Sequence, residues 1–210
     1  MSDPQPDPLE LAERVAERLC HDISSSAQAL ASGLDLLHEA RTGDERDEAV
    51  GLLNEALAAQ TSKVGYARKA YGLTQSADTS DLKALAETLY ADLRPTLDWA
   101  VEAQSLGPAA ARVLLILLQI AADAAAVGGV VRATSAHDGS IISVHMTGPR
   151  VALKDEIRVG LRGGSIAAGV GGRWVQGAFV AALTSASGGK IETDFSDGGA
   201  TIRVSLSQGG

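Results

Sequence analysis

The chain has one cysteine, Cys20, among 210 residues. An internal disulfide is therefore excluded, and the usage fits a reducing compartment. Aromatic side chains make up only 3%, so the core must be packed from alanine, leucine, valine and glycine. No apolar run approaches the roughly 20 residues that span a bilayer. The longest, Val113 to Ala122, is broken by Gln119. Basic side chains are outnumbered 18 to 26, a net charge of −8, which argues against nucleic acid or an anionic membrane as the principal partner because both select basic surfaces. Residues 1–73 hold 7 basic and 13 acidic side chains, so much of that charge sits on the first segment. Metal spacing is missing too: His38 lies near a helix end, His137 in a turn and His145 on a strand, with no matching cysteine or carboxylate pattern. With no Gly-x-Ser-x-Gly elbow either, hydrolase and metalloenzyme chemistry are set aside. Met1–Pro8 is polar, with prolines at 4, 6 and 8, and reads as a frayed tail and not a signal peptide, which points to the cytoplasm.

What is present begins with helical periodicity. Ala16, Leu19, Ile23, Ser26, Leu30, Gly33 and Leu37 recur in steps of three and four, the spacing of a helix packed along one face. Opposite that seam lies His21, in a row with Arg14, Gln28 and Asp35 and flanked by Arg18, Ser24, Ser25 and Ser32. An exposed helix histidine usually does nothing. Here Asp22 follows at once and is placed to fix the imidazole tautomer, while small serines at the next turn leave room for another protein to approach. Those are the needs of a histidine that receives a phosphoryl group.

The spacing predicts a first helix from about Pro8 to Ala40, a turn at Arg41 to Asp44, and a second helix to about Tyr71 that Gly72 stops. Two antiparallel helices cover each other's seams only in part, so a second copy completing a four-helix bundle is the simplest partner. Thr74 to Ser80 is small and polar and reads as a linker. Beyond it the pattern changes to helices over Asp81–Leu93, Ala109–Ala126, Leu153–Leu161 and Arg173–Ser187, with a short strand at Leu97–Glu102. Two hairpins follow the strand rules: Val130–Ala136 with Ser140–Met146 turning at His137-Asp138-Gly139, and Lys190–Phe195 with Ala200–Leu206 turning at Ser196 to Gly199. Helices on one face of a mixed sheet give an α+β chain, a helical hairpin over 1–73 followed by an α/β sandwich over 80–210.

The run Leu19-Cys20-His21-Asp22, with His-Asp-x-x-Ser at 21–25, Arg68-Lys69-Ala70-Tyr71-Gly72, Ala121-Ala122-Asp123-Ala124 before Gly128-Gly129, and Gly188-Gly189-Lys190-Ile191, resembles the dimeric histidine phosphotransferases of the ChpT type found in alphaproteobacteria. The resemblance covers essentially the whole chain; Ser26 departs from the proline that family members commonly carry. It implies a histidine-kinase-like hairpin with a degenerate ATPase-like sandwich. Active kinases of this architecture hold magnesium with Asn-Leu-x-x-Asn-Ala. Counting back from Gly128-Gly129, those positions fall on Ile116 and Ile120, which offer no oxygen to a hard cation. Asp155-Glu-Ile-Arg-Val stands where Asp-x-Gly-x-Gly would read adenine. Gly169-Val170-Gly171-Gly172 before a helix is weak evidence for a phosphate loop.

The resemblance thus implies a phosphorelay intermediate with no cofactor of its own. His21 would accept a phosphoryl group from one receiver-domain aspartate, Asp22 would orient it, and a second receiver would take it on, the receivers supplying magnesium. Partners would be a second copy and receiver domains, including that of a hybrid histidine kinase, with cell-cycle regulators as acceptors. Docking is placed on Arg14, Arg18, Ser24, Ser25, Gln28 and Ser32, extended by Lys63 and Arg68 of the second helix. The alternatives are an active kinase using ATP, and a receiver-binding scaffold or phosphatase without transfer.

Overall fold

Helix α1 (Pro8–Glu39) begins where the Asp7 carboxylate accepts the Leu9 backbone N–H at 3.2 Å, with proline in its first turn, where a missing N–H costs nothing. Helix α2 (Gly43–Tyr71) starts at a capping box. Thr42 accepts from the Glu45 N–H at 3.3 Å while Glu45 accepts from the N–H groups of Arg41 and Thr42 at 2.6 and 3.1 Å. Those donors hold the Glu45 carboxyl below its ordinary range, and they make the connection short and sharp. The computed structural model describes residues 7–73, 75–164, 173–196 and 198–207.

The hairpin closes as the periodicity predicts, with one difference of face. Ser26 and Gly33 are buried and Leu19, Leu30 and Leu37 half-buried, but Ala16 and Ile23 remain exposed. At Gly33 a Cβ would lie 2.8 Å from Leu53 Cδ2, so the glycine is what lets α2 approach this closely. Gly72 ends α2 as expected, by a different device. Its φ of −78° is extended, not left-handed, and a Cβ there would strike the Arg68 carbonyl oxygen.

The stretch expected as a linker instead contributes structure at its end. Strand β1 (Ala77–Asp78) leads into helix α3 (Thr79–Tyr90), and the Asp78 carboxylate caps the Ser80 N–H at 2.8 Å. Next come β2 (Pro95–Ala100), β3 (Ser105–Leu106) and α4 (Pro108–Ala124), then the hairpin β4 (Gly129–Ser135) and β5 (Ile141–Thr147). The chain continues through α5 (Asp155–Leu161) and α6 (Trp174–Ala186) to the last hairpin, β6 (Lys190–Ser196) and β7 (Gly199–Ser205). The sheet order is β2-β4-β5-β7-β6, parallel only between β2 and β4, with β1 and β3 pairing separately. Both hairpins turn where Asp-Gly and Gly-Gly predict. Gly139 and Gly198 take positive φ of 72° and 87°, and Asp138 accepts from the Ser140 N–H and hydroxyl.

Alternation aims Val131, Ala133, Ile142, Val144, Met146, Ile202 and Val204 inward with no exposed surface. They meet α4, which is buried from Val113 to Leu118 and again at Ile120 and Ala121. Tyr66 and Ala70 of α2 join the same core. Tyr66 donates to the Leu115 carbonyl at 2.7 Å, Tyr90 to the Leu118 carbonyl at 2.8 Å and Tyr71 to Gln119 Oε1 at 3.2 Å. The Arg112 guanidinium donates to the carbonyls of Ala70 and Tyr71, satisfying the open end of α2. A second cluster joins Leu11 and Val15 of α1 to Trp174, Val175 and Ala178 of α6. The hairpin is thus seated on the sandwich at both helices.

All three tyrosines of the chain lie at these contacts. Burial raises Tyr66 and Tyr90 well above the ordinary phenol value of 10.0 and pushes Tyr71 up to about 12. As pH rises past 10.0, the unfolded chain gives up phenolic protons that the folded chain keeps, so stability falls with rising pH. A spectroscopic titration should show no tyrosinate at the ordinary midpoint, then ionisation of all three together with loss of helical circular dichroism. Tyrosinate formed at pH 10 in a still-folded protein would contradict this burial.

Candidate functional site

Near the middle of α1, the His21 side chain is 80% exposed, and its Nδ1 lies 3.5 Å from Asp22 Oδ1. That is long for a hydrogen bond, and with so open a ring a small rotation about the side-chain bonds shortens it. The other carboxylate oxygen of Asp22 lies 3.7 Å from Arg18 Nε. One turn on, the Ser25 hydroxyl donates to the His21 carbonyl at 3.0 Å and the Ser26 hydroxyl to the Asp22 carbonyl at 3.2 Å. Lys63 of α2 reaches across to Ser26 Oγ at 3.4 Å. Although Ser26 stands in place of a proline, α1 runs from Pro8 to Glu39 as one helix.

Ser24, Ser25, Gln28 and Ser32 are exposed beside His21, and Lys63 and Arg68 are exposed on α2. Arg14 and Arg18 differ from the outward placement their spacing predicts, with side chains only 27% and 21% exposed. Arg14 pairs with Glu17 at 3.4 Å. Arg18 turns toward the junction with the sandwich, because α1 packs on α6 as well as on α2, and this second contact widens the face that is covered.

A cavity of about 420 Å³ opens beside Asp22 and Ile23, walled by Lys63, Val64, Tyr71 and Leu89. A second, of about 370 Å³, continues past Arg94 and Asp123. Between them the amides of α4 and α6 form a polar seam that motif reading passes over: Gln119 Oε1 accepts from the Tyr71 hydroxyl and from Gln176 Nε2, each at 3.2 Å. The signal was there, since each glutamine interrupts an apolar stretch of its helix.

For nucleotide chemistry the relevant residues are placed as follows. Ile116 and Ile120 have no exposed surface. Asp155 opens the short helix α5, and the cluster Gly169 to Gly172 lies outside the described residues. Among the described residues, no group of three or more histidine, cysteine or acidic side chains is placed to hold a metal ion, and no helix is long and apolar enough to cross a membrane.

Comparison with known proteins places this geometry. The chain is 30% identical over 125 residues to the protein phosphotransferase ChpT of Brucella abortus (strain 2308), a match spanning 58% of this chain and 58% of that relative. It superimposes on a bacterial phosphotransferase structure with a TM-score of 0.84, over 97% of this chain and 100% of that one, at 20% identity. That likeness shows that the hairpin-plus-sandwich fold is shared. The family model described as the histidine phosphotransferase C-terminal domain matches residues 79–199, the sandwich from α3 to the start of β7. On that match, covering more than half its length, the chain belongs to the histidine phosphotransferase C-terminal domain family.

Proposed function

We propose that this chain is a histidine phosphotransferase of a multistep phosphorelay, passing a phosphoryl group between receiver-domain aspartates through a phosphohistidine at His21. The observation that carries the reading is an imidazole four-fifths exposed on a continuous helix, in a chain whose sandwich belongs to this family. Nitrogen suits the task because a phosphoramidate is reactive enough to return its group to a carboxylate, whereas a serine ester is not. The partner receiver brings magnesium and the acidic pocket; this chain supplies a nucleophile in good geometry. It uses no nucleotide itself, a reading supported by buried isoleucine at 116 and 120, and it works in the cytoplasm. Receivers dock on Ser24, Ser25, Gln28 and Ser32, with Lys63 and Arg68 alongside. Incubation with a receiver carrying a labelled aspartyl phosphate tests this directly. The label should move to a peptide containing His21 and be acid-labile and alkali-stable; an acid-stable label would defeat the reading.

The active form is a homodimer joined through the hairpin. Support comes from apolar side chains that one hairpin leaves open: Ile23 at 45% exposure, Leu34 at 47%, Leu36 at 49% and Leu57 at 54%. Aspartate at both Ile23 and Leu30 should yield a monomer by light scattering with helical content retained. A native chain that is already monomeric at micromolar concentration would rule the dimer out.

A further inference from the structure

The half-buried Arg18 has no place on an open docking face. We propose that Arg18 is a positioning residue for the transfer, holding Asp22 so that its carboxylate keeps the His21 proton on Nδ1 and the lone pair on Nε2. This rests on the relay reading above.

The geometry supports it from both sides. Arg18 Nε lies 3.7 Å from one oxygen of Asp22, and His21 Nδ1 lies 3.5 Å from the other. A carboxylate bridging a guanidinium and an imidazole in this way presents an acceptor to Nδ1–H, and the tautomer follows from that hydrogen bond. Arg18 is itself confined. Together with Leu89 and Gln119 it lines both cavities at the junction, and Gln176 of α6 lines the second of them with it. Arg18 and Asp22 both act electrostatically on the Tyr71 phenol, so the three groups share one small space. The other charges facing that space are Lys63 from α2, Asp92 and Arg94 between α3 and β2, and Asp123 from α4.

The chemistry uses this arrangement directly. His21 Nε2 attacks phosphorus and forms the N–P bond. The bond from phosphorus to the receiver's aspartyl oxygen breaks, and its electron pair leaves with the restored carboxylate. The ring then carries positive charge with its proton still on Nδ1, opposite Asp22. Without Arg18 the carboxylate is free to swing away, either nitrogen can hold the proton, and attack through Nδ1 competes. The sandwich therefore bears on the reaction through the groups that confine Arg18.

Two donors separate positioning from docking. Phosphoramidate is a small donor that loses ammonia on transfer and needs no docking surface; a receiver carrying an aspartyl phosphate needs one. Histidine ring tautomers in the full-length protein are read by nitrogen NMR, with His21→Ala identifying the signal. Arg18→Ala should mix the tautomers, slow labelling by phosphoramidate roughly tenfold, below the ~100-fold that ångström-scale misplacement costs, and yield both phosphohistidine isomers. From the receiver, kcat should fall with little change in KM. Arg18→Lys, which keeps the charge, should restore part of the rate and the single isomer, and Arg18→Gln serves if the alanine variant folds poorly. An unchanged tautomer, phosphoramidate labelling at the native rate and a raised KM for the receiver would make Arg18 a docking residue and overturn the proposal. Failure of the native protein to take label from any receiver would instead fault the relay reading, leaving the tautomer result to stand alone.

Discussion

On the proposed relay, His21→Ala should take up no label from a phosphorylated receiver, a loss of several orders of magnitude, because removing a nucleophile leaves only binding and positioning behind. The substitution is nearly free for the fold. The ring is 80% exposed, and surface changes of this kind stay within about 0.5 kcal/mol. Unchanged thermal unfolding and unchanged oligomeric state in the variant make the loss chemical and not structural. Asp22→Ala, by contrast, should slow transfer without abolishing it, since the role proposed for Asp22 is to orient the ring and not to supply electrons to phosphorus. Full labelling of His21→Ala would show that another residue is the acceptor and that α1 has been misread from its centre outward.

Gly177→Ala destabilises the protein by about 1–3 kcal/mol, the ordinary cost of forcing atoms into a filled contact. At this crossing of α5 and α6 a Cβ on residue 177 would lie 2.5 Å from the Ile157 carbonyl oxygen and 2.9 Å from the Leu161 nitrogen. On the facing helix, a Cβ at Gly160 would lie 2.6 Å from both the Ala178 nitrogen and the Trp174 oxygen. These neighbours are backbone, so the helices must part. In an open helix position the same change stabilises by up to about 1 kcal/mol. Gly51→Ala in α2, where nothing lies within 4 Å of the added carbon, supplies the contrast of sign. A thermal midpoint for Gly177→Ala lower by roughly 2–12 °C, at the 2–4 °C per kcal/mol expected for this chain length, is the result to look for. An unchanged midpoint would mean that the two helices can part at little cost. Because α6 also carries Gln176 and Trp174, the damage should reach the hairpin contact.

The periodic parts of the chain were legible and the contacts between them were not. Steps of three and four in α1, the turn residues before α2 and the Asp-Gly turn each express a local rule, and each element formed within a few residues of its expected bounds. Strands β1 and β3, two residues each, are too short to carry a period. Ile23 was assigned to a buried seam, yet in a single hairpin it stays 45% exposed, since a heptad says which side is apolar and not what covers it. The spacing identified His21 as outward-facing but put Arg18 beside it. Its inward turn depends on Leu11 and Val15 meeting Trp174, a contact across more than half the chain. Gln119 and Gln176 were visible as polar breaks in apolar stretches of α4 and α6, and only the packing shows that they answer each other.

Trp174, 1% exposed and donating its indole N–H to the Gly164 carbonyl at 2.8 Å, sits where Leu11 of α1 meets α6. The chain's second tryptophan, Trp99, lies away on β2. With Trp99 replaced by phenylalanine, intrinsic fluorescence becomes a gauge of one joint. Emission that shifts to the red while the sheet persists records the hairpin lifting off the sandwich, and any receiver that pries the two apart announces itself without an attached dye.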